Sequence, residues 1–366
     1  MSEPLPPGGV IGILGGGQLG RMLALAAARL GFRAHIFAPE SDCPAAQVAA
    51  SHTIAAYDDA EALRRFASLA DIVTFEFENV PATTVEILVA AGADVAPNGR
   101  ALAIAQDRLV EKQFVQSVGA RTAPFAAVDD LASLRAAVAA IGRPSILKTR
   151  RLGYDGKGQT VLSDAAKPLG EEWDAANEKA WRELGARPSI LEGFVPFVME
   201  ISVIAARGRN GAVALFDPPR NEHQGGILRR SSVPSGAPAR ALKESEAIAI
   251  AMLNALDYVG VIGVEFFVLE SGEVLVNEFA PRVHNSGHWT EAACAASQFE
   301  QHIRAVAGWP LASTRRHSDC VMENLIGEEA ERWRTLAQER DVVINLYGKS
   351  PAAAGRKMGH ATRLVR

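Results

Sequence analysis

Two glutamates in the stretch VEFFVLESGEVLVNEF, Glu265 and Glu278, have the spacing to share a metal ion. If Ser271 and Gly272 form the centre of a hairpin loop, Glu265 and Glu278 are equally distant from it and face each other. Directly opposed Cβ atoms lie roughly 4.5–5.5 Å apart, and two carboxylates at that distance repel each other. A Mg²⁺ ion between them would remove the repulsion; the alternative is a solvated pair on an edge strand. The same pairing predicts four apolar residues on the face of Glu265, namely Phe267, Leu269, Val274 and Val276.

Glycine and lysine residues in LKTRRLGYDGKGQ, from 147 to 159, are typical of a loop that binds phosphate. Gly153, Gly156 and Gly158 allow backbone N–H groups to approach phosphate oxygens, and Lys148 and Lys157 supply positive charge. The stretch lacks the G-x-x-x-x-G-K-[ST] spacing of a P-loop. We interpret it as an anion-binding loop of another kind, with an ordinary surface hairpin loop as the alternative.

Polar residues beside other apolar strands extend the candidate site. Glu192 and Glu200 lie in LEGFVPFVMEISV, where backbone after a strand can read an adenine edge and a carboxylate can accept hydrogen bonds from ribose hydroxyls. Taken singly, each is more often a strand-end or solvated glutamate. The loop directly after Glu278 concentrates one cation and several hydrogen-bonding groups, namely Arg282, His284, Asn285 and Ser286. This loop predicts a binding site without zinc ligation or a Ser–His–Asp triad, since neither spacing is present.

The stretch VIGILGGGQLGRM contains a match to the G-x-G-x-x-G pattern between Gly15 and Gly20. In dinucleotide-binding folds, an acidic residue at the end of the second strand holds the ribose diol. Here Ala38 and Pro39 occupy that position, and Glu40 is expected beyond the strand. An NAD-dependent dehydrogenase is therefore the weaker hypothesis, while a strand, glycine turn and helix with N–H groups facing an anion is retained.

The pattern of elements predicts an α/β part followed by an α+β part. Apolar strands alternate with amphipathic helices from 10 to 100, which indicates a parallel sheet covered on both faces. Beyond about residue 101, strands joined by tight turns indicate antiparallel sheet, and the tail contains one further strand, VVINLYGK. We predict three domains, at residues 1–103, 104–310 and 311–366.

Composition excludes several classes of protein. The 366 residues carry a net charge of −4 and no basic run interleaved with aromatics, which argues against nucleic acid as a partner. No apolar run is long enough to span a membrane. The three cysteines, Cys43, Cys294 and Cys320, form neither a disulfide framework nor a zinc pattern, and MSEPLPPGG does not resemble a secretory signal. A cytoplasmic location is expected.

In sequence order, these stretches resemble the ATP-grasp carboxylate–amine ligases, most closely the branch that carboxylates aminoimidazole ribonucleotide in purine biosynthesis. The resemblance covers nearly the whole chain and is most specific in GYDGKGQ and NEFAPRVHNSGHWT. It implies an ATP-grasp architecture, with an N-terminal Rossmann-like parallel-sheet domain, a central ATP-grasp domain and a small C-terminal β lid. It also implies ATP, bicarbonate and aminoimidazole ribonucleotide as substrates, one or two Mg²⁺ ions, a carboxyphosphate intermediate and a homodimer.

The resemblance assigns roles residue by residue. ATP would be bound by Arg108, Lys148, Gly153, Tyr154, Asp155, Gly156, Lys157, Gly158, Gln159, Glu192, Gly193, Phe194, Val195, Glu200, His223, Asn277 and Glu278. Mg²⁺ would be bound by Glu265 and Glu278. Catalytic positions would be Asp155, Arg282, His284 and Asn285, with Asp155 as the hypothetical contact of the substrate amine. The imidazole ribonucleotide would contact Gln18, Leu19, Glu76, Glu78, Tyr154, Ser286, Lys349 and Arg356.

Two further alternatives have sequence criteria. A nucleotide-binding module without catalysis would be expected to lack Glu265, Glu278, Arg282 or the glycine-rich loop, and all are present. A related transformylase would use formate and glycinamide ribonucleotide in place of bicarbonate and the imidazole. Because the resemblance places a nucleotide phosphate at the GGGQLG turn, we expect that turn to hold the 5′-phosphate of the substrate, with ATP in the central domain.

Overall fold

The N-terminal part folds as a parallel sheet because short apolar strands alternate with helices that bury one face. In a computed structural model, residues 3–153, 158–163 and 171–365 are described. The elements are β1 (Val10–Leu14), α1 (Gln18–Arg29), β2 (Arg33–Ala38), β3 (Ser51–Ile54), α2 (Ala60–Leu69), β4 (Ile72–Phe75) and α3 (Ala82–Ala90). The strands pair in the order β3-β2-β1-β4, all parallel. Gly31 follows α1 with a φ of 83°, which is the left-handed turn expected after this helix.

The chain from 99 to 117 forms two helices with a break at Asp107. The carboxylate of Asp107 accepts a hydrogen bond from the Leu109 amide at 3.0 Å and begins the second helix. The elements that follow are α4 (Gly99–Ala105), α5 (Arg108–Ser117), β5 (Phe125–Val128), α6 (Leu131–Ile141), β6 (Ser145–Thr149), β7 (Gln159–Leu162), α7 (Glu171–Glu183) and β8 (Ser189–Gly193). Strands β5-β8-β6-β7 form a four-stranded antiparallel sheet.

A second antiparallel sheet, of nine strands, forms the centre of the molecule. Its elements are β9 (Phe197–Arg207), β10 (Val213–Leu215), β11 (Arg220–Gln224), β12 (Ile227–Val233), α8 (Ala239–Ala255), β13 (Gly260–Leu269), β14 (Val274–Ala280), α9 (Thr290–Ala293), α10 (Gln298–Val306), β15 (Asp319–Ile326), α11 (Trp333–Leu336), β16 (Val342–Leu346) and β17 (Lys357–Val365). The order is β14-β13-β9-β11-β12-β15-β17-β16, with β10 paired to β9. The final three strands therefore extend the central sheet.

Sequence patterning missed two of those final strands. β15 and β17 contain polar residues at positions where a half-buried strand is expected to be apolar. Tertiary contacts satisfy the hydrogen-bonding groups of those residues. Asn324, for example, is buried and donates to the Leu228 carbonyl oxygen of β12 at 2.9 Å. The strands on both sides of residue 310 belong to one sheet. The predicted domain boundaries at 103 and 310 stay predictions.

One hydrophobic core joins the parallel-sheet part to the central sheet. It contains side chains from β1 and α1, such as Ile13 and Leu23, together with Ile204, Trp289 and Phe299. A buried hydrogen bond of 2.8 Å between Thr74 Oγ1 of β4 and His302 Nε2 of α10 crosses the same boundary. The turns after β1 and β4 are thereby held beside the central sheet. Of the helices in the described ranges, none has the length and apolar character to cross a lipid bilayer.

Candidate active site

A cavity of about 620 Å³ brings together residues from, or directly beside, all three sheets. The predicted site residues that line it are Gln18, Leu19, Glu76, Glu78, Arg108, Lys148, Gly153, Gln159, Glu200, His223, Glu265, Asn277, Glu278, Arg282, His284 and Asn285. Residues that are more than 250 positions apart in the sequence thus face one space.

Other predicted positions do not line this cavity. Gly158, Glu192, Gly193, Phe194, Val195, Ser286, Lys349 and Arg356 are absent from its lining. The Ser286 hydroxyl is buried behind His284, and Arg356 donates to the carbonyl oxygens of Ser350 and Pro351. Tyr154, Asp155, Gly156 and Lys157 lie outside the described residues, so their roles stay predictions.

A β-bulge in the β13–β14 hairpin decides which glutamates face the cavity. Near the turn, Phe266 pairs with Val276, one residue away from the predicted register; beyond the bulge, Val264 pairs with Phe279 as predicted. Glu265 therefore faces the pair Asn277 and Glu278, and a bulge of this kind re-aims a side chain without ending the ladder. The prediction that Val274 and Val276 share the face of Glu265 is wrong: both are buried in the core on the opposite side.

The two glutamates have opposite tendencies to ionise. Burial acts to raise the pKa of Glu278, but Arg108, whose Nη1 lies 2.9 Å from Glu278 Oε2, lowers that pKa to about 2. Burial, followed by the negative charge of Glu278, raises the pKa of Glu265 to about 7. His284 Nε2 lies 3.3 Å from Glu265 Oε1. Glu278 is thus paired with a cation, whereas Glu265 ionises less readily because burial and the charge of Glu278 disfavour its carboxylate.

The donor set of the cavity fits a divalent cation that prefers oxygen ligands. Both glutamates line the cavity and face each other across the bulge, and the charge of Glu278 disfavours ionisation of Glu265. Across residues 3–153, 158–163 and 171–365, no group of three or more His, Cys, Asp or Glu could hold a metal ion. Nucleotide or water oxygens would complete the coordination, which is the usual arrangement for Mg²⁺.

Lys148 is held at the cavity wall by a buried glutamate. Lys148 Nζ lies 3.0 Å from Glu192 Oε2, and Lys112 Nζ lies 3.2 Å from the same oxygen. Lys112 also donates to the Asn277 carbonyl oxygen at 2.8 Å, which ties β14 to α5. Burial lowers the pKa of Lys148, and Glu192 opposes that shift. The Glu192 side chain therefore fixes a cation at the cavity.

Glu200 and His223 form a second polar pair on adjacent strands, β9 and β11. His223 Nδ1 lies 2.8 Å from Glu200 Oε2, and both residues line the cavity. Burial acts to lower the pKa of His223, but the hydrogen bond with Glu200 raises it above its ordinary value. The pair presents hydrogen-bonding groups beside the apolar ring of Phe267, which suits a ribose next to a base.

The glycine turn after β1 is filled by a carboxylate from the neighbouring strand end. Glu76 Oε1 accepts a hydrogen bond from the Gly17 amide at 2.6 Å, and Oε2 accepts one from the Gly20 amide at 2.8 Å. A Cβ atom at position 17 would lie 2.5 Å from Glu76 Oε1, so only glycine permits this approach. A dinucleotide pyrophosphate would need the same amides, which argues against the dehydrogenase hypothesis. Gln18 and Leu19, in the first turn of α1, still line the cavity with amides that have no intrahelical acceptor.

The loop after β14 is fixed on both sides. Arg282 Nε is paired with Glu78 Oε2; burial acts to raise the pKa of Glu78, but this pairing keeps it below its ordinary value. Gln298 accepts from the His284 amide at 2.9 Å and donates to the His284 carbonyl oxygen at 2.7 Å. Burial, followed by the charge of Arg282, lowers the pKa of His284 to about 3, so the imidazole is neutral.

Asn285 carries an unsatisfied amide at the cavity. Its Oδ1 and Nδ2 atoms are both inaccessible to solvent, and neither has a hydrogen-bond partner in the part of the chain that is described. Buried polar groups are almost always hydrogen-bonded. Within the described residues, the Asn285 amide is therefore an exception to this rule, in the same loop as Arg282 and His284.

Several cavity residues were not predicted from the sequence. Glu111 lines the cavity from α5 and accepts a hydrogen bond from the Phe279 amide at 2.7 Å, and Lys357 lines it from the start of β17. Gln106 Nε2 positions the Glu78 loop by donating to the carbonyl oxygens of Glu78 (2.7 Å) and Val80 (2.6 Å). A glutamate within the amphipathic pattern of a helix carries no local signal of such contacts.

Replacement of Glu111 by glutamine is expected to flatten the pH dependence of stability. Burial, followed by the charge of Glu278, raises the pKa of Glu111 to about 8. The folded state therefore retains a proton that the unfolded state loses near its ordinary pKa of 4.5, and stability falls as pH rises through about 8. In EDTA and without nucleotide, we expect Glu111→Gln to raise the Tm at pH 8 by roughly 2–4 °C and to leave it unchanged near pH 4. Equal slopes of Tm against pH in the wild-type protein and in Glu111→Gln would refute this prediction. Glu86→Gln, at an exposed position, is the control.

Family models match this chain in three consecutive segments. Residues 9–106 match the ribonucleotide synthetase preATP-grasp domain, residues 113–299 match the ATP-grasp domain, and residues 320–366 match the phosphoribosylaminoimidazole carboxylase C-terminal domain. The central match alone spans half of the chain.

Full-length relatives agree with the domain matches. N5-carboxyaminoimidazole ribonucleotide synthase of Brucella melitensis biotype 1 is 55% identical, over 98% of this chain and 97% of that protein. The Staphylococcus aureus N5-carboxyaminoimidazole synthetase complexed with ADP superposes with a TM-score of 0.92 at 33% identity, covering 100% of this chain and 95% of that chain. The Aspergillus clavatus synthase with ADP and 5-aminoimidazole ribonucleotide gives 0.88 at 28% identity, covering 98% and 94%. The chain belongs to the N5-carboxyaminoimidazole ribonucleotide synthase family, with an ATP-grasp fold preceded by a preATP-grasp parallel-sheet domain.

Proposed function

We infer that this protein is an ATP-dependent ligase that carboxylates the 5-amino group of 5-aminoimidazole ribonucleotide. ATP, bicarbonate and the ribonucleotide would give N5-carboxyaminoimidazole ribonucleotide, ADP and phosphate, a step of purine biosynthesis. The observation that carries the inference is the single cavity that joins the glycine turn of the parallel sheet to the carboxylates and cations of both antiparallel sheets. Two substrates can therefore bind in one cavity and react there.

We propose that the cavity has an ATP end and an imidazole end. Lys148 and Arg108 would neutralise phosphate oxygens, while Glu200 and His223 would bind the ribose. Lys148, Glu200 and His223 lie on strands of the two antiparallel sheets, and Arg108, at the start of α5, pairs with Glu278 of the central sheet. Gln18 and Glu76, which lie beside the parallel sheet, would form the imidazole end. Arg282, which is paired with Glu78, lies in the loop that follows Glu278.

Mg²⁺ is proposed to bind at Glu265 and Glu278. When bound, it would offset the negative charge of the nucleotide phosphates and of the two carboxylates. Arg108 holds Glu278 in its ionised form and the bulge aims both carboxylates at one space, so the residues present suit an oxygen-preferring cation.

Catalysis by these residues would consist of positioning and charge neutralisation. In the proposed reaction, a bicarbonate oxygen attacks the γ-phosphorus of ATP and ADP leaves; the amine then attacks the carboxyl carbon, phosphate leaves and the amine loses a proton. Arg282 would stabilise the oxyanions that develop, and neutral His284 would donate a hydrogen bond to them without repelling a cation. Asp155 as the group nearest the amine stays a prediction. No covalent enzyme intermediate is needed.

The test is the substrate dependence of ADP release. We expect release to require bicarbonate, 5-aminoimidazole ribonucleotide and Mg²⁺ together, with one carboxylated product formed for each ADP. ADP release driven instead by formate and glycinamide ribonucleotide would assign the chain to the related transformylases. ATP binding with no turnover under either set of substrates would indicate a binding module.

The two ends of the cavity predict separable effects on KM. Gln18→Ala is expected to raise the KM for aminoimidazole ribonucleotide about 5–10-fold, as the loss of one hydrogen bond implies, with the KM for ATP unchanged. Glu200→Gln serves as the reciprocal control and should raise the KM for ATP alone. Parallel changes of both KM values in either variant would contradict the division of the cavity into two ends. So would an unchanged KM for the ribonucleotide in all four variants of the imidazole end, at Gln18, Leu19, Glu76 and Glu78.

Two further properties stay predictions. We propose a homodimer, to be tested by light scattering at micromolar concentration, where a monomer mass would refute it. A cytoplasmic location is the expectation from cysteine usage, and fractionation of cells would test it.

A further inference from the structure

A row of buried polar side chains runs away from the cavity behind His284. His284 Nδ1 lies 2.8 Å from Ser286 Oγ, which lies 2.6 Å from Ser202 Oγ of β9. Asn221 Nδ2 of β11 lies 3.0 Å from Ser202 Oγ, and Ser231 Oγ of β12 lies 2.7 Å from Asn221 Oδ1. Ser286, Ser202 and Ser231 have no exposed surface, and Asn221 is only 4% exposed. Buried polar side chains from three neighbouring strands thus form one hydrogen-bonded row that ends at the His284 ring.

The hydrogen bonds of this row run in one direction. Ser231 donates its proton to the Asn221 carbonyl oxygen, and the Asn221 NH₂ group donates to Ser202 Oγ. Because Ser202 already accepts there, its single proton is available for Ser286 Oγ, and the proton of Ser286 is then available for His284 Nδ1. The Ser286 backbone N–H, which can only donate, also lies 3.4 Å from His284 Nδ1.

A ring nitrogen that receives these donors carries no proton of its own. The proton of the neutral ring is then on Nε2, which lies 3.3 Å from Glu265 Oε1, on the cavity side. We propose that Ser202 and Asn221 are positioning residues that hold His284 as the Nε2–H tautomer, so that it acts as a hydrogen-bond donor towards an anionic oxygen in the cavity. The tautomer follows from the geometry alone, whereas its consequence for turnover rests on the proposed function.

Asparagine at position 221 is what sets the direction. An amide carries a donor and an acceptor on opposite sides, so it can receive from Ser231 and give to Ser202 at the same time. An aspartate of the same shape only accepts, so Ser202 would turn its proton towards it and Ser286 would turn towards Ser202. His284 Nδ1 would then lose its hydroxyl donor, and the Nδ1–H tautomer would become favourable.

The experiment is ¹⁵N NMR of protein labelled with [¹⁵N]histidine, with His284→Gln used to assign the His284 signals. In the wild-type protein we expect the chemical shift of an unprotonated Nδ1 and a protonated Nε2. Asn221→Asp should move the population towards Nδ1–H, and Ser202→Ala should give a mixture of tautomers, which decides the question if the aspartate variant does not fold. Ser245→Ala removes another buried serine, which donates to the Leu242 carbonyl oxygen in α8, and should leave the spectrum unchanged.

Turnover provides a second, separate readout. We expect Ser202→Ala to lower kcat about 10–100-fold, by analogy with the partners that orient metal-ligating histidines, with the KM for ATP unchanged. A protonated Nδ1 in the wild-type protein, or tautomer populations that do not respond to Ser202→Ala, would overturn the proposal. Because the tautomer is measured without substrates, a failure of the proposed carboxylation reaction would not be mistaken for a failure of this inference.

Discussion

Replacement of Glu278 by glutamine is expected to lower kcat by about 10²–10³-fold. The variant keeps the shape of the side chain but loses the charge that pairs with Arg108 at 2.9 Å and that we assign to Mg²⁺. Without that charge, Arg108 loses its ion pair with Glu278, and Glu265 is left to hold the cation alone. Steady-state kinetics as a function of Mg²⁺ concentration are the measurement, and the half-saturating Mg²⁺ concentration should rise.

Glu273→Gln is the matched control for this prediction. Glu273 is in the same hairpin, next to its turn, where it pairs with Arg121 at 3.2 Å and does not line the cavity. Its replacement removes one negative charge from the same hairpin and should leave both kcat and the Mg²⁺ dependence unchanged. An equal loss of activity in the two variants would mean that Glu278 acts through the hairpin rather than at the cavity.

Replacement of Arg282 by alanine is expected to lower kcat/KM by about 10³-fold. The change removes a cation from the cavity and leaves the carboxylate of Glu78, now without its partner, in a buried position. Arg282→Lys should recover only part of the activity, because an ammonium group cannot reproduce the planar guanidinium that donates both to Glu78 and to the Val283 carbonyl oxygen.

A double-mutant cycle separates the two roles of Arg282. If Arg282 acts only by holding Glu78, Glu78→Gln and the Glu78→Gln/Arg282→Ala double variant should have equal activity. We expect the double variant to be at least about 10-fold less active, because the cation itself stabilises the developing oxyanion. Arg316→Ala is the control: it breaks ion pairs with Asp217 and Asp319 away from the cavity, and it should not change kcat.

The elements that contain their own periodicity could be predicted from sequence. The apolar run and glycine turn of VIGILGGGQLGRM gave the strand and helix at residues 10–29, and the Ser271–Gly272 turn gave a hairpin whose far half has the predicted register. The polar loop around Arg282 and His284 was also visible, because several hydrogen-bonding groups in one short loop are unusual. Local patterns of this kind depend only on near neighbours.

Features that depend on distant residues could not be predicted. No local signal in GGGQLG shows that Glu76, from another strand, fills the turn, and none shows that Glu192 lies between Lys112 and Lys148. The serines and the asparagine behind His284 are ordinary strand residues until three strands place them in a row.

Sequence alone determined which chemical groups this chain carries: paired carboxylates, cations beside a glycine-rich loop and a glycine turn, in the order of the ATP-grasp ligases. Tertiary structure decided which of these groups face one another. A single bulged residue moves Val276 into the core and aims both Asn277 and Glu278 at the cavity, because side chains alternate between faces and one extra residue reverses the alternation. Residue identity is local, but facing and burial are set by contacts between strands far apart in the chain.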